Sequence, residues 1–484
     1  MRRLAHLLLL LPLAGCLLGP DYRRPAVATP ESYQHAAAAA RETANTAWWR
    51  QFGDPVLDDL IAEALANNKG VQIAAANVEQ AAAVLTQTRA PLFPQVSYGA
   101  TGAEQRATES GATPLPASVA NPQTSYQLLA GASWEIDLWG RIRRLSEAAR
   151  ASLLASEEAR RGVILSLVAS VANGYIQLRS LDEELVIARR TLGAYGESVK
   201  LFELQFEHGQ ISQMTVQQAR SQYETVAATI PQIEFQIAQT ENALAILLGR
   251  NPGPIARGKS IEDLLLPAVP TGIPSQVLEQ RPDVRQAEQD LVAANALIGA
   301  AKALYFPTIS LTGAFGQASA ELGDLFKGPS RTWSYSGSIT GPLFAGGAIS
   351  GQVRQAEAGR KAALLAYEAA IQAAFADTET ALVAREKLVQ QLEAQGRLVT
   401  AAREYVRLAQ LQFDGGVTPY FTVLQAEQQL FPAELNHALY RGSLFASVVN
   451  IYKAMGGGWV VEAEKLTGPA SGSGAGQAPP AGTP

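Results

Sequence analysis

Residues 253–260 fit the pattern G-x-x-x-x-G-K-S, in which backbone amides, a lysine and a hydroxyl hold nucleotide phosphates. A phosphate loop of this kind follows a hydrophobic strand and opens a helix, so that its amides converge on the phosphates. Here the preceding residues, 242–248, have the pattern of a helix end, and Pro252 and Pro254 remove amide donors. We therefore interpret residues 253–260 as a structural loop between two halves of the chain.

Other residues that could carry catalysis or bind a metal are few and scattered. The sequence has no G-x-S-x-G or H-E-x-x-H motif, one cysteine and three methionines, which disfavours a hydrolase, a zinc site and a copper(I) path. A net charge of −5 gives no electrostatic footprint for nucleic acid. Acidic residues 182–184 are expected on a solvated helix face. His6, His35, His208 and His437 lie far apart and include no pair at the spacing of metal ligands. We predict no enzyme activity, no metal and no nucleic-acid partner.

The first 16 residues have the pattern of an export signal that ends in a lipid attachment site. Arg2 and Arg3 precede an apolar run, residues 4–13, that is too short to span a bilayer. Leu13-Ala14-Gly15-Cys16 resembles a bacterial lipobox, so we predict a signal peptide over 1–15 and, as the one covalent group, lipid on Cys16. Leucine rather than aspartate at position 17 favours the outer membrane. The alternative is an ordinary secretory signal with an incidental cysteine.

Two proline-free stretches predict two very long helices. No proline occurs from Gln123 to Ile230 or from Leu343 to Thr418, and we predict helices over 140–207 and 346–413. At about 1.5 Å per residue, each would be on the order of 100 Å long. A helix of that length requires a partner along its apolar seam.

The two long helices share one seam, which indicates an internal duplication. Apolar residues recur at heptad spacing from Ile164 to Phe206, with one stammer, and adding 207 to each position gives an equivalent seam from Ile371 to Phe413. Glycine after each seam predicts a turn and an antiparallel return helix. The predicted segments are 16–54 (anchored N-terminus), 55–250 (first repeat, with 55–90, 93–138, 140–207 and 213–248), 251–273 (linker), 274–456 (second repeat, with 274–303, 306–344, 346–413 and 419–455) and 457–484 (disordered tail).

Each repeat also contains two segments that alternate at period two, as strands do. The clearest are 125–138 and 333–343, and 95–103 and 308–317 are weaker. Aromatic residues on one face and small polar residues on the other suit lipid outside and water inside. A soluble sheet packed on helices is the alternative. If the strands enter the membrane, several chains must complete one barrel, because four strands cannot close and hydrocarbon excludes open edges. Three chains would give twelve strands, although the strand count does not require three.

Four motifs in the expected order resemble the TolC-like outer-membrane efflux proteins, in the lipoprotein branch that includes OprM and NodT. They are Trp48-Trp49-Arg50-Gln51-Phe52-Gly53-Asp54-Pro55, Gln280-Arg281-Pro282-Asp283-Val284 with Tyr305-Phe306-Pro307, Leu247-Leu248-Gly249, and Phe413-Asp414-Gly415-Gly416-Val417-Thr418-Pro419-Tyr420. The resemblance implies a mainly α fold with a β-barrel part. Duplicated helical hairpins would form an α-barrel tunnel, and four strands per chain would join a shared trimeric 12-stranded transmembrane β-barrel.

The resemblance also implies which residues contact the adaptor and which surround the aperture. The two turns, 208–212 and 415–418, would meet a periplasmic adaptor protein, and Thr215, Thr422 and Gln425 stand where relatives carry aspartates that ring the closed aperture. Because all three are uncharged, we expect a weaker cation preference than in an aspartate-ringed relative. The remaining candidates are Gly209, Gly416, His208 and Val417 for adaptor contact, and Phe413 and Thr418 for gate locking.

The function implied is a passive exit duct. A homotrimer anchored by lipid in the bacterial outer membrane would extend into the periplasm and conduct small toxic compounds from an inner-membrane pump and its adaptor. Two alternatives remain: the exit duct of a protein secretion system, which would share the fold, and a periplasmic adaptor lipoprotein, which would have a single helical hairpin.

Overall fold

The computed structural model describes residues 17–26, 33, 47–108, 110, 116, 120–269, 280–456 and 459–467. The predicted signal peptide, Cys16, residues 274–279 and the tail from 468 lie outside these ranges. The helices are α1 (Pro55–Asn67), α2 (Lys69–Arg89), α3 (Arg141–Glu207), α4 (Gln213–Leu247), α5 (Pro282–Ala303), α6 (Ala348–Asp414), α7 (Tyr420–Met455) and α8 (Trp459–Glu464). The strands are β1 (Gln95–Gln105), β2 (Gln123–Ile136), β3 (Thr308–Ser319) and β4 (Arg331–Thr340).

The chain divides into two compact units. The first contains residues 1–26, 78–155 and 287–367, and the second contains 27–77, 156–286 and 368–484. The first unit therefore holds the whole sheet, and the second holds both hairpin ends. Among the described residues, no helix combines the length and apolar character needed to cross a membrane.

The long helices α3 and α6 are continuous over 67 residues each. In the second unit, the predicted seam positions of both helices are buried or half-buried, because α4 and α7 return along them and cover the apolar stripe. Phe206 is the exception, since 43% of its surface is exposed. The heptad interpretation is confirmed apart from this residue.

The first unit contains one antiparallel sheet in the order β1-β2-β3-β4. The β2–β3 ladder, in which Ala130 pairs with Phe315, joins the strands of the two repeats. Side chains alternate between faces, so one face is apolar and largely exposed, with Tyr98 at 89% and Tyr335 at 81%. The opposite face carries hydroxyls that pair across β3 and β4, Ser310 with Ser338 and Thr312 with Ser336, each at 2.7 Å between the oxygens. The face assignment predicted from period two is confirmed, although Leu343 lies beyond β4.

The core of the second unit contains the aromatic motif of residues 48–52. Trp48 and Phe52 are fully buried, and the Trp48 ring stacks on Tyr452 of α7 with 5.0 Å between centroids. Asp54 caps α1, because its Oδ1 accepts a hydrogen bond from Val56 N at 3.0 Å.

Residues 253–260 form a loop beside the same core, in which Ile255 is buried and most of the other residues are exposed. Lys259 N donates to Asp54 Oδ2 at 3.0 Å, and Gly258 N donates to the Tyr175 hydroxyl at 2.9 Å. The Tyr175 hydroxyl in turn donates to Asp54 Oδ2 at 2.7 Å. Both amides therefore donate to buried side chains rather than pointing toward a phosphate site. A Cβ on Gly258 would overlap the Asp54 carboxylate, which explains the glycine at this position.

Candidate functional site

The candidate site is the tip of the two hairpins in the second unit, where α3 turns into α4 and α6 turns into α7. Both turns close in the same way. Gly209 has φ +69° and Gly416 has φ +70°, a left-handed conformation that glycine adopts without strain. Gln210 N donates to Gln205 O at 2.8 Å, and Val417 N donates to Gln412 O at 2.8 Å. Each turn is therefore a Schellman C-cap that satisfies the last carbonyls of a long helix.

A tip aromatic cluster of Phe202, Phe413 and Tyr420 ties the first hairpin to the second. The ring centroids are 4.3 Å apart for Phe202 and Tyr420, 5.5 Å for Phe413 and Tyr420, and 6.2 Å for Phe202 and Phe413. Edge-to-face pairs of this kind contribute about 0.5–1.5 kcal/mol each beyond the area they bury. Phe202 is 2% exposed and Tyr420 is 6% exposed, so the cluster is a packed core at the end of the hairpins.

The predicted gate residues divide between this core and its surroundings. Phe413 belongs to the cluster, and the Thr418 hydroxyl is buried without a hydrogen-bond partner in the described part of the chain. Thr215 is half-buried beside the α4 N-cap, with 3.3 Å between its hydroxyl oxygen and that of Ser212. Thr422 is half-buried, whereas Gln425 is exposed. Within the described residues, no hydrogen bond joins Thr215, Thr422 and Gln425 to one another.

The residues predicted for adaptor contact lie on the outside of the turns. Val417 is 74% exposed, and His208 is exposed, with its Nδ1 2.8 Å from Leu204 O. A Cβ added to Gly209 or Gly416 would meet open space. Surface at both turns is thus free for another molecule.

Glu427, two helical turns after Tyr420 on α7, is a buried carboxyl that the sequence analysis missed. Its Oε2 is buried and has no hydrogen-bond partner among the residues described. Burial raises the pKa of Glu427 to about 7, and a hydrogen bond from the Tyr420 hydroxyl partly offsets this rise. The same surroundings raise the pKa of Tyr195, first through burial and then through the charge of Glu427.

Glu434, two further turns along α7, joins three helices through a carboxylate bridge. Its Oε2 accepts from Arg190 of α3 at 2.5 Å, and its Oε1 accepts from Arg403 Nη2 of α6 at 2.7 Å. The Glu434 side chain is 7% exposed, whereas both arginines are more than half exposed. The bridge therefore links the two hairpins above the aromatic cluster.

A sequence signal for both carboxyls was available. Tyr420, Glu427 and Glu434 are spaced by seven residues, so they lie on one face of α7. Acidic residues at heptad spacing on an otherwise apolar face point to buried polar contacts.

The expectation that residues 182–184 form a solvated face is wrong, because all three are half-buried. Asp182 accepts hydrogen bonds from Arg179 at 2.5 Å and from Arg257 at 3.2 Å. Burial raises the pKa of Glu184 to about 7, and its hydrogen bond with Ser180 partly offsets that rise. Arg257 of the loop after α4 reaches Asp182, a contact that the spacing of charges along one helix does not reveal.

The described residues hold no cluster of His, Cys, Asp and Glu suited to a metal ion. The tip instead offers two capped turns, an aromatic cluster and two carboxyls between helices. Such an arrangement can hold the two hairpins together, because Phe202 packs on Phe413 and Tyr420 and Arg190 donates to Glu434 across them.

Known proteins share this architecture. The chain is 37% identical over 458 residues to the "Toluene efflux pump outer membrane protein TtgF" of Pseudomonas putida, which covers 92% of this chain and 95% of that protein. It is 34% identical to the "Probable outer membrane lipoprotein SilC" of Salmonella typhimurium, over 93% of this chain and 97% of SilC. The crystal structure of the open state of the Neisseria gonorrhoeae MtrE outer membrane channel superposes with a TM-score of 0.83 at 33% identity, over 92% of this chain and 99% of MtrE.

The sequence model of one family matches both repeats, over residues 60–250 and 273–457. The two matched segments correspond to the duplication seen in the helices and strands. The chain belongs to the outer membrane efflux protein family.

Proposed function

We propose that this chain is the outer-membrane exit duct of a tripartite efflux pump, and that it works as a homotrimer anchored by lipid on Cys16. The observation that carries the proposal is the sheet: its apolar face is exposed, its other face carries hydroxyls, and β1 and β4 are its edges. An open edge is not tolerated in hydrocarbon. Copies of the chain would therefore complete one barrel, with apolar side chains toward lipid and hydroxyls toward water.

The proposed mechanism is passive conduction through a tip that opens when the adaptor binds. Adaptor contact at Gly209, Gly416, His208 and Val417 would favour a dilated arrangement, provided that the adaptor binds this arrangement more tightly than the packed one. The residues that oppose dilation are those that join the hairpins, namely Phe202, Phe413, Tyr420 and Glu434. Thr215, Thr422 and Gln425 would surround the aperture without fixed charge.

The cargo is set mainly by the inner-membrane pump in this proposal. The name of TtgF assigns that protein to toluene efflux. We extend this to small toxic organic compounds for the present chain. Deleting the gene should raise the cellular accumulation of such compounds, and expression of the full chain together with its pump and adaptor should reverse the increase.

A disulfide test addresses the shared barrel. β1 and β4 are separated by two strands, about 14 Å at ~4.7 Å per strand, which is too far for a disulfide within one sheet. Ser97→Cys on β1 should therefore be combined with Ser334→Cys, Ser336→Cys or Ser338→Cys on β4. At least one pair should give covalent trimers on non-reducing gels of outer-membrane fractions.

The control is Ser97→Cys with Gly131→Cys, because these residues face each other within one chain and should cross-link without raising the molecular mass. If no edge pair yields a covalent oligomer while the control pair forms, the shared-barrel proposal is wrong.

A further inference from the structure

The segment that follows Cys16 contacts the first unit from Leu17 to Arg24. We call residues 17–26 the N-terminal strap. Leu18 N donates to Trp139 O at 3.3 Å, and Asn295 Nδ2 donates to Pro20 O at 2.8 Å. Further along, the Tyr22 hydroxyl donates to Glu288 Oε1 at 3.1 Å. A short segment without regular structure is thus held by contacts with the turn between β2 and α3 and with α5.

Arg144 of α3 makes the most extensive contact with the strap. Its Nε donates to Leu18 O at 3.0 Å, and its Nη2 donates to Gly19 O at 3.3 Å and to Asp21 Oδ1 at 2.8 Å. Its Nη1 donates to Glu147 of the same helix at 2.7 Å. The Arg144 side chain is 2% exposed. Because a buried guanidinium without partners is strongly unfavourable, the strap and Arg144 require each other.

The strap begins one residue after the predicted lipid attachment site. Leu17 packs directly against Gly140, in the turn that joins β2 to α3. A group on the preceding residue would be attached one residue step, at most about 3.6 Å, from Leu17. β2 ends just before the turn at Ile136, which belongs to the apolar face of the sheet.

We propose that Arg144 holds the N-terminal strap in place. The strap thereby positions the lipid on Cys16 at the end of the sheet where β2 leads into α3. This inference rests on the lipidation proposed above. The acyl chains then enter the bilayer beside the apolar face of the sheet, so the anchor and the strands meet one membrane surface. Arg144 is a positioning residue that acts through the backbone of residues 18 and 19 and through the Asp21 carboxylate.

Trypsin cleavage after Arg23 tests the fastening in the full chain in detergent-opened outer-membrane fractions, where the protease reaches the periplasmic side. The peptide bond between Arg23 and Arg24 lies in the strap, so trypsin should cleave it slowly in the wild type. Arg144→Gln removes donors to three strap oxygens, and we expect cleavage about tenfold faster because local opening becomes easier. Arg150→Gln removes the same charge from the exposed face of α3 and should leave the rate unchanged. Equal rates in the wild type and Arg144→Gln, or equal acceleration by both variants, would overturn the inference.

A distance measurement separates positioning from general destabilisation. Nitroxides at Pro20→Cys and Arg150→Cys should give a narrow distance distribution that Arg144→Gln broadens, while heat-modifiable migration of the oligomer stays unchanged. If Arg144→Gln fails to fold, Asp21→Asn weakens the same fastening from the strap side and should speed cleavage less. A narrow distribution in Arg144→Gln would also overturn the inference.

Palmitate labelling of fragment 16–23, released by the same digest, tests the lipid independently. An unlabelled fragment would contradict the proposed lipidation, whereas the cleavage rates and the distances would still report on the strap.

Discussion

The two hairpin tips have the same turn but different packing. Gly209 and Gly416 close identical C-caps, 207 residues apart. Beyond the turns the copies diverge. Phe413 packs in the aromatic cluster, whereas its equivalent Phe206 is 43% exposed. The second return helix carries an aromatic and two acidic residues that the first lacks at the equivalent positions: the pairs are Gln213 and Tyr420, Arg220 and Glu427, and Ala227 and Glu434.

The duplication therefore produced two hairpins of the same structure, but the side chains that join them differ between the two copies. A contact that joins two hairpins needs complementary rather than identical partners. Phe202 of the first copy therefore meets Tyr420 of the second, and the position equivalent to Phe202 is Ala409. Substitutions at equivalent positions should consequently have unequal effects.

The largest expected effect is that of Phe202→Ala. Removing a fully buried phenylalanine should destabilise the packed tip by about 3 kcal/mol, since it leaves a cavity in the aromatic cluster. Hydrogen exchange of the Gln210 and Val417 amides, which close the turns, should accelerate by about two orders of magnitude. Phe206→Ala should change the stability of the packed tip by no more than about 0.5 kcal/mol, so the exchange rates should change little. Similar effects for the two substitutions would show that the tips are equivalent.

Glu434→Ala should have the next largest effect, because it removes the carboxylate shared by Arg190 and Arg403. Both arginines are more than half exposed, and solvent weakens their attraction to the carboxylate. We therefore expect the free energy that stabilises the packed tip to fall by only about 1–2 kcal/mol. Channels in planar bilayers should open about tenfold more often. Glu234→Ala breaks an exposed pair with Arg189 within the first hairpin and is the matched control. An opening frequency equal to that of the control would rule out the bridge as a restraint on the tip.

A smaller, pH-dependent effect is expected from Glu427. Burial raises its pKa from 4.5 to about 7, so the packed tip retains a proton that an exposed carboxyl would release. The stability of the packed tip is therefore greatest below pH 4.5 and falls as pH rises to 7, with little further change above. Tip protection factors should drop several-fold between pH 5 and pH 8 in the wild type.

Glu427→Gln should remove this drop. Glu184→Gln is the control, since the pKa of Glu184 is also raised to about 7 but this residue lies outside the tip aromatic cluster. Retention of the full pH dependence in Glu427→Gln would exclude Glu427 as its source.

The smallest expected effect is on ion selectivity. The wild-type aperture should show little cation preference and little block by trivalent cations, because Thr215, Thr422 and Gln425 carry no charge. Gln425→Asp places a carboxylate in every copy, and at about 1 kcal/mol per cation at ~4 Å in water it should raise cation preference several-fold. Gln429→Asp, an exposed position one turn further along α7, should change it less. Strong cation selectivity in the wild type would contradict the uncharged-aperture prediction.

Much of the architecture could be predicted from residue spacing. Heptads in α3 and α6, the 207-residue offset and period-two strands follow from local geometry that repeats along the chain. The pairing of β2 with β3, which joins the repeats into one sheet, did not follow from these patterns. At the tip, the C-cap glycines were predictable, whereas Glu427 and Glu434 were missed because their burial depends on a neighbouring hairpin.

The sequence by itself determined the repeat, the element types and the apolar faces, since each depends on residues a few positions apart. Only the tertiary structure decided which duplicated residue is covered: Phe413 is half-buried whereas Phe206 is exposed, and Glu427 has a buried carboxyl oxygen whereas Arg220 is exposed. Equivalent side chains on equivalent helices differ only in what packs against them, and packing between distant segments is not encoded in local spacing.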